Sequence, residues 1–239
     1  RIDCTGVILA GGVWSRLFCQ SLGIDLPQLK VVSSVLRTQP LPDGPEVSAS
    51  GHGFSFRKRL DGGYTVAHGG VVNYDVVPDS FRLLLRFLPL AWMARHELRP
   101  RFSRRFGVEW RQPSSWPLDE PSPFEKTRIL DPAPLPGVLR AAVRNLKDAY
   151  PIFKGLEVAE EWAGMIDVTP DAVPVISSSP ELPGLVLATG FSGHGFGIGP
   201  AAGQLAADLV TAVPTTIDLE PFALSRFFDG SKICPVAGI

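Results

Sequence analysis

Five glycines punctuate a short segment near the C-terminal end of this 239-residue chain, between an apolar strand and a helix. They are Gly190, Gly193, Gly195, Gly197 and Gly199. Because glycine has no Cβ, such a segment lets the backbone approach a flat or anionic ligand closely and turn through positive φ. A helix start behind it supplies free N–H groups and the positive end of the helix dipole. The pattern therefore predicts a cofactor-binding segment.

Two other interpretations of the glycines stay open on spacing alone. Residues 197–202 fit the loose G-x-G-x-x-G/A pattern of a dinucleotide-binding turn, and Asp218 or Glu220 lies at roughly the ~20-residue offset of its acidic partner. Only 29 residues, three of them prolines, follow Val210, which leaves no room for the second strand that this turn requires. The other interpretation is a glycine-rich helix cap that binds nothing.

A few side chains could take part in chemistry. His194 lies among the glycines, which expose it to any ligand of the segment, so it is a candidate catalytic or contact residue. Tyr64 and His68 share one face of a predicted hairpin and are further candidates for catalysis or substrate contact, although such residues on a half-buried strand also pack. Arg37 and Arg57 could bind a carboxylate through a bidentate fork.

Two strand–glycine–helix units must position these residues. The first runs from Val7 through a Gly11-Gly12 turn into a helix at Trp14–Leu22. The second runs from Leu185 into the glycines, and its helix is predicted to open at Pro200.

The middle of the chain reads as β-rich with helices. Strands are predicted at 30–38, 54–57, 64–68 and 157–162, with an irregular continuation over 164–169. Helices are predicted at 78–98 and 136–150, and residues 100–136 read mostly as loop. The first of these helices has an apolar stripe (Phe81, Leu84, Leu85 and Leu88) and a break or kink at Pro89. The fold class is therefore α/β (α+β), a cofactor domain interrupted by a substrate domain.

Composition narrows the partners. The formal net charge is −1 with 20% charged residues, so the overall balance favours neither nucleic acid nor an anionic membrane surface. The basic cluster at 95–105 is interpreted as a solvated helix end or loop. Three widely spaced cysteines indicate no disulfide framework or zinc site and favour a reducing compartment. The residues contain no predicted transmembrane segment.

Three stretches resemble the FAD-dependent amine and amino-acid oxidoreductases of the D-amino-acid oxidase, glycine oxidase and sarcosine oxidase type. Residues 7–15 are similar to the family's second flavin-contacting strand and turn. Residues 162–176 resemble the return from the substrate domain, and 190–199 its C-terminal flavin loop. The resemblance implies part of an FAD-binding Rossmann-like domain interrupted by an antiparallel-sheet substrate domain with helices. The segments are then 1–28 and 158–218 (FAD-binding), 29–157 (substrate) and 219–239 (tail).

The resemblance also implies the residues that contact FAD. They are Gly11, Gly12, Trp14, Gly164, Ser192, Gly193, His194, Gly195, Phe196, Gly197 and Ile198. Some relatives attach FAD through a cysteine where this chain has Gly164, so non-covalent binding is expected. The sarcosine oxidase branch has a substrate-binding lysine where this chain has Gly197, so its carboxylate contact must come from elsewhere.

The implied reaction is oxidation of the C–N bond of a D-amino acid, glycine or N-methyl amino acid, by hydride transfer to flavin N5. The family's N-terminal unit for the ADP half of FAD is not found before Val7. The chain is therefore expected to be the C-terminal portion of such an enzyme, with an N-terminal half or partner subunit as its partner. The alternative is a fragment without autonomous catalysis. We expect a cytoplasmic location, no metal, and poor solubility of the chain alone.

Overall fold

The computed structural model describes residues 2–236 as two β-sheets covered by helices. This confirms the predicted mixed α/β fold class. Arg1, at the start of the first predicted segment, and residues 237–239, at the end of the last one, lie outside the described residues.

The bounds of the elements within residues 2–236 are as follows. The strands are β1 (Val7–Leu9), β2 (Leu29–Thr38), β3 (Ser48–Gly51), β4 (Phe54–Lys58), β5 (Tyr64–Ala67), β6 (Val72–Asp75), β7 (Leu98–Arg101), β8 (Val158–Val168), β9 (Val175–Ser178) and β10 (Leu185–Thr189). The α-helices are α1 (Ser15–Ser21), α2 (Pro78–Arg82), α3 (Leu84–Met93), α4 (Arg105–Arg111), α5 (Pro123–Lys126), α6 (Pro136–Ala149) and α7 (Gly195–Val210). Short 3₁₀ turns are Gly12–Trp14, Pro151–Gly155, Glu220–Phe222 and Leu224–Phe227.

The smaller sheet has the order β1–β10–β9, with β1 parallel and β9 antiparallel to β10. All five residues of β10 are buried, because helices cover both of its faces. Leu185 and Leu187 pack against α1 and the C-terminal segment that contains Phe227. Val186 and Ala188 pack against α7. Both strand–glycine–helix units therefore meet in one sheet, and their turns lie at the same edge.

The larger sheet is organised around β2. Along one edge β2 pairs with β8 over its whole length, from Leu29 opposite Val168 to Thr38 opposite Val158. Along the other edge it pairs with β6 near its start and β5 near its end. The strands β4 and β3 extend the sheet beyond β5, and β7 adds to β6 in parallel. The strand that opens the predicted 158–218 segment thus belongs to the larger sheet.

Helices cover opposite faces of the larger sheet at its two ends. On one face α6 packs over Leu36 and the aromatic residues of β4 and β5, with Leu139, Ala142 and Leu146 buried. On the other face α3 packs over Val31 near the start of β2. Successive residues of a strand alternate between faces, so odd-numbered residues of β2 such as Val31 pack under α3 and even-numbered residues such as Leu36 pack under α6.

Three sequence expectations about the elements were wrong in detail. The helix α7 begins at Gly195 rather than Pro200, because its first turn is closed by the bond from Gly197 N to the carbonyl oxygen of His194 at 3.1 Å. Residues 164–168 continue β8 regularly instead of irregularly. Pro89 lies inside α3, and the predicted single helix breaks at Leu83.

The apolar stripe predicted for this helix is exposed. Phe81, Leu84, Leu85 and Leu88 are all exposed, whereas Leu83, Phe87 and Leu90 are buried. Leu83, Phe87 and Leu90 recur at i, i+4 and i+7, so a second apolar face, opposite the predicted stripe, packs against the sheet. Among residues 2–236, no helix has the length and hydropathy needed to cross a membrane.

We expect Phe153→Ala to lower the free energy of unfolding by about 3–5 kcal/mol, because it removes a fully buried ring from the core under α6. The ring lies 4.9 Å from that of Tyr64 and 5.1 Å from that of Phe56. The matched control is the neighbouring Ile152→Ala, whose side chain is exposed and should cost less than about 1 kcal/mol. Equal losses in urea unfolding would contradict this assignment of the core.

Candidate functional site

The glycine segment leaves β10 through a turn that requires glycine. Gly190, Ser192 and Gly193 all have positive φ, at 75°, 50° and 89°. A Cβ on Gly190 would collide with the methyl group of Thr169, so this position has no space for another residue. The chain therefore passes tightly over the end of β8 before α7 begins.

A buried carboxylate holds this turn. Asp167 Oδ2 accepts hydrogen bonds from Gly190 N at 2.7 Å and from Gln28 Nε2 at 3.0 Å, and lies 3.3 Å from Thr189 Oγ1. Its main-chain carbonyl oxygen accepts a bond from Ser192 N at 3.0 Å. The end of β8 thus fixes the glycine turn through both its side chain and its backbone.

The same group of side chains reaches the first glycine turn. The Thr189 hydroxyl lies 2.8 Å from Ser15 Oγ and 3.3 Å from the carbonyl oxygen of Gly12. We call Ser15, Gln28, Asp167 and Thr189 the Asp167 cluster; all four are buried. Because the cluster spans both sheets and both glycine turns, it sets their relative position.

The helix behind the first turn is also tied to the larger sheet. Arg16, buried on α1, forms an ion pair with Asp79 on α2 at 2.7 Å and with Asp25 at 3.2 Å. Burial alone would raise the pKa of the Asp79 carboxyl, but hydrogen bonds and charge from Arg16 and Arg82 outweigh it. The pKa of Asp79 therefore lies below its ordinary value.

Aromatic side chains line the outer side of the first turn. The Phe124 ring meets Trp14 edge-on at 5.4 Å and Trp116 at the same distance. A pocket of about 310 Å³ opens here at the carboxyl end of β1. Its lining residues are Leu9, Gly11, Trp14, Phe18, Phe124 and Arg128.

The glycines of the site border open space. A Cβ placed on Gly12, Gly164, Gly197 or Gly199 would meet no described atom within 4 Å. Gly164 shares a face of β8 with Ile166, whose side chain lies 3.8 Å from the position of a Cβ on Gly193. We call the surface that these glycines border the cradle; backbone without side chains is exposed along it, so a ligand can approach the main chain closely there.

The N-terminal end of α7 gives this cradle a positive potential. The first-turn N–H groups of Gly195 and Phe196 have no intrahelical acceptor, and the turn contains no acidic side chain. The helix dipole adds to these donors, so negative charge is favoured there. His194 and Phe196 are exposed beside it, Phe196 almost completely.

The structure brings most of the sequence-predicted cofactor residues together. Gly11, Gly12 and Trp14 form the first turn, which lies against β8. Residues 192–198 form the second turn and the start of α7, and Gly164 lies on β8 on the face of Ile166. The predicted grouping of these segments agrees with their positions, although their contacts with a cofactor stay a prediction.

The other predicted site residues lie elsewhere. Tyr64 is fully buried in the core under α6, and its hydroxyl donates to the carbonyl oxygen of Pro45 at 3.0 Å. Arg37 forms an ion pair with Glu160 at 2.8 Å. It lies four residues along β2 from Ser33, the residue opposite Gly164, and this separation along the strand is about 13 Å.

His68 and Arg57 lie across β2 from β8 in the larger sheet, whereas the glycine turns contact β8. His68 lies next to Gly53 at the end of the hairpin, and its Nδ1 is buried without a hydrogen-bond partner among the described residues. Arg57 is exposed on β4, opposite Ser48 and Thr65. Neither is brought to the cradle.

Sequence reasoning missed the Asp167 cluster. Thr189 is a polar residue at the end of an otherwise apolar strand, and Asp167 follows two apolar residues near the end of β8, which is a signal that could have found them. Gln28 carries no such signal, because only the tertiary structure places it between the two strands.

Similarity to known proteins identifies the family of this chain. Residues 1–209 match the family model described as FAD dependent oxidoreductase (DAO). The chain belongs to this FAD-dependent oxidoreductase family. The predicted family resemblance is thereby confirmed.

Individual relatives give the same picture. The chain is 40% identical over 90 residues to FAD-dependent oxidoreductase domain-containing protein 1 of Bos taurus, covering 37% of this chain and 18% of that protein. It is 34% identical over 97 residues to D-amino acid dehydrogenase of Paramagnetospirillum magneticum, covering 41% and 23%. Its structure is similar to L-amino acid deaminase from Proteus myxofaciens, with a TM-score of 0.88 and 37% identity over 93% of this chain. The chain spans 49% of that deaminase chain.

We expect Asp167→Ala to lower the free energy of unfolding by about 1–3 kcal/mol, because Gly190 N would be left buried without an acceptor and Gln28 Nε2 would keep only Thr189 Oγ1. Asp167→Asn should cost less, since its amide oxygen can take the position of Oδ2. Hydrogen exchange of the amide of Gly190 should accelerate in the alanine variant and less in the asparagine variant. Exchange that is unchanged in both variants would show that Asp167 does not hold the turn.

The Arg16–Asp79 pair predicts an acid-dependent loss of stability. The folded-state pKa of Asp79 is lowered, so its contribution is present above the unfolded-state pKa of about 3.9 and is lost as pH falls toward the folded-state pKa. In urea unfolding, the wild-type chain should exceed Asp79→Asn in stability by a margin that is constant near neutral pH and narrows below about pH 4. A margin that does not vary with pH would contradict the lowered pKa.

Proposed function

We propose that this chain forms the redox half of an FAD-dependent oxidoreductase that oxidises the C–N bond of an amino acid. The observation that carries the proposal is the convergence of both glycine turns and Gly164 on one cradle that no side chain fills. Membership of the FAD-dependent oxidoreductase family supports FAD as the group that it accommodates.

FAD, when bound, supplies a flavin ring that accepts a hydride equivalent at N5 from the Cα–H bond of an amine substrate. This chain's residues bind and orient the ring and stabilise the charge that develops. The N–H groups of Gly195 and Phe196, together with the dipole of α7, stabilise negative charge. Ser192 is buried and maintains the turn, whereas His194 is exposed and contacts the ring or its surroundings.

The substrate is proposed to lie over the exposed part of β8. Trp162 and Gly164 lie on one face of this strand, which the glycine turn borders at Ile166. Tyr64 is left out of the proposed substrate site because it is fully buried, and Arg37 because it is paired with Glu160 away from the cradle. A substrate whose amine arrives in the neutral form, with a free lone pair on nitrogen, requires no general base from this surface.

The substrate class is an amino acid, with the configuration open. Relatives include a D-amino acid dehydrogenase, a glycine oxidase and a peroxisomal sarcosine oxidase. The similarity to an L-amino acid deaminase adds L-amino acids to the expected D-amino acids, glycine and N-methyl amino acids. A panel of these substrates with oxygen or an artificial acceptor would identify the substrate and the acceptor.

Non-covalent FAD binding is part of the proposal. Gly164 provides no thiol at the position where some relatives attach FAD. Burial raises the pKa of the Cys19 thiol to about 12, so it stays protonated and unreactive. Denaturation of a flavin-loaded sample should therefore release all of its flavin into solution. The free cysteines also support a reducing compartment, for which we propose the cytoplasm.

The chain spans about half of the solved relative that it resembles, so the ADP half of FAD is proposed to be held by an N-terminal half or a partner subunit. The alternative is a chain without autonomous catalysis. FAD titration of the purified chain separates the two, because flavin fluorescence is quenched on binding. The proposed function would be excluded if the chain does not quench flavin fluorescence, either by itself or when mixed with the N-terminal half of a relative.

We expect Gly197→Ala to stabilise the fold and weaken FAD binding. Alanine is favoured over glycine in an exposed helix by about 0.5–1 kcal/mol, and a Cβ at Gly197 meets no described atom within 4 Å. The same Cβ would enter the cradle. The melting temperature should therefore rise while the affinity for FAD falls about tenfold, measured by flavin fluorescence.

Gly203→Ala is the matched control for this prediction. Gly203 lies on the same helix, is exposed and has equal space, but lies one turn beyond Gly199 on the side away from the glycine turn. It should raise the melting temperature to a similar extent without changing FAD affinity. Equal FAD affinities of the two variants would place the flavin elsewhere.

A further inference from the structure

Two ion-pair networks in this protein contain more cations than carboxylates. The first consists of Arg16, Arg82, Arg86, Asp25 and Asp79. The second consists of Lys30, Arg101, Arg105, Asp75 and Glu109. The other ion pairs between described residues each join one cation to one carboxylate. Each network therefore has one positive charge in excess, because three cations share two carboxylates.

The excess charge is largely withdrawn from water. The side chains of Arg16 and Lys30 are only 7% and 20% exposed, and Arg101 Nη1 is buried without a hydrogen-bond partner among residues 2–236. A charge with little hydration is stabilised by hydrogen bonds and by opposite charge. The two networks therefore favour an anion close to them.

A pocket of about 360 Å³ opens between the two networks, where α1, α2, α4 and the start of β2 meet. Five of its lining residues are charged members of the networks: Arg16, Asp79 and Arg82 from the first, and Lys30 and Glu109 from the second. We call this cavity the α1–α4 pocket. A ligand in it can contact both networks and so compensate both excess charges.

Hydrogen-bond donors are available in the α1–α4 pocket. Lys30 and Arg82 each use a single N–H group, in an ion pair, and their other N–H groups are free to bind a ligand among the described residues. Further polar side chains that line the pocket and make no hydrogen bond within residues 2–236 are Gln20, Gln112 and Ser114. Charged donors of this kind bind the oxygen atoms of anions through short, strong hydrogen bonds.

The size and the lining of the pocket decide which anion fits. Its volume is that of a small organic molecule, whereas an inorganic ion would fill only part of it. Leu17, Pro78 and Trp110 supply apolar surface between the charged groups. Two excess charges on two networks match a molecule with two anionic groups joined by a short apolar segment.

We propose that the α1–α4 pocket binds a small dicarboxylate. One carboxylate contacts Arg82 of the first network, and the other contacts Lys30 of the second. The carbon chain between them lies against Leu17 and Trp110. The dicarboxylate thereby provides the negative charge that the two networks lack.

The α1–α4 pocket is separate from the cradle but linked to the Asp167 cluster. Lys30 lies opposite Asp167 in the pairing of β2 with β8, and Asp167 is on the other face of β8 from Gly164. From the side of α1, Arg16 N donates to Gln28 Oε1 at 3.2 Å, and Gln28 donates to Asp167. The dicarboxylate therefore binds behind the glycine turns, and its binding requires no FAD.

Calorimetric titration of the 239-residue chain with succinate, in the absence of FAD, tests the proposal. Butyrate is the matched probe, because it has the same number of carbon atoms and a single carboxylate. Succinate should bind at least about tenfold more tightly than butyrate and inorganic phosphate. Its affinity should fall at high salt, since the charges are screened. A chain that does not bind succinate, or that binds butyrate or phosphate equally well, would overturn the proposal.

Two variants remove one excess charge each. Arg82→Gln and Lys30→Gln should each weaken succinate binding by at least about tenfold, because each also removes a proposed contact. The Arg82 side chain is 63% exposed, so its variant should keep the native circular dichroism spectrum. Arg59→Gln is the matched control, since Arg59 pairs with Asp61 and does not line the pocket. Equal affinities of Arg82→Gln, Arg59→Gln and the wild type would contradict the proposed contacts.

A second measurement places the succinate in the α1–α4 pocket rather than the cradle. Succinate should raise the melting temperature of the wild-type chain and of Gly197→Ala to a similar extent, but much less that of Arg82→Gln. If Gly197→Ala loses this increase and Arg82→Gln retains it, succinate binds at the cradle and the proposal is wrong.

Discussion

The buried carboxylate of Asp167 is the interaction on which the arrangement of the site depends. It accepts bonds from the glycine turn, from Gln28 and from Thr189, so a single group connects the larger sheet to the smaller one. A carboxylate in such a position is stable only when several donors satisfy it. Loss of any one element would therefore leave buried polar groups unpaired, which couples the position of both glycine turns to the integrity of both sheets.

This coupling explains why the site is both rigid and open. The turn at Gly190 is held from beneath by the Asp167 cluster and by the close approach of Thr169. Above it, Gly197 and Gly199 carry no side chain that could fill the cradle. A preorganised binding site for a flat cofactor requires both properties, a turn whose backbone is held in place and open space beside it for the ligand. The glycines of this chain thus have two separate purposes, a positive φ at the turn and space at the start of α7.

The exposed surfaces of the chain have different chemistry. The cradle at the start of α7 is bordered by backbone N–H groups and by the exposed ring of Phe196. The outer side of α3 exposes Leu85, Leu88 and Trp92, and Arg95 lies 4.9 Å over the ring of Trp92, although the whole chain is nearly neutral. Net charge alone therefore conceals a local separation of charge, because the exposed arginines after α3 are not balanced by nearby carboxylates.

The sequence by itself determined the family, the mixed α/β fold class and the glycine turns, because glycine spacing and hydrophobic periodicity are local properties. It also predicted the 54–68 hairpin and the helix at 136–150, whose residues Leu139, Ala142 and Leu146 are buried. Only the tertiary structure decided that Leu85 faces solvent, since this depends on which face of α3 packs against the sheet. It alone gathered Gln28, Asp167 and Thr189, which are up to 161 residues apart, because burial brings together polar groups that no sequence spacing relates.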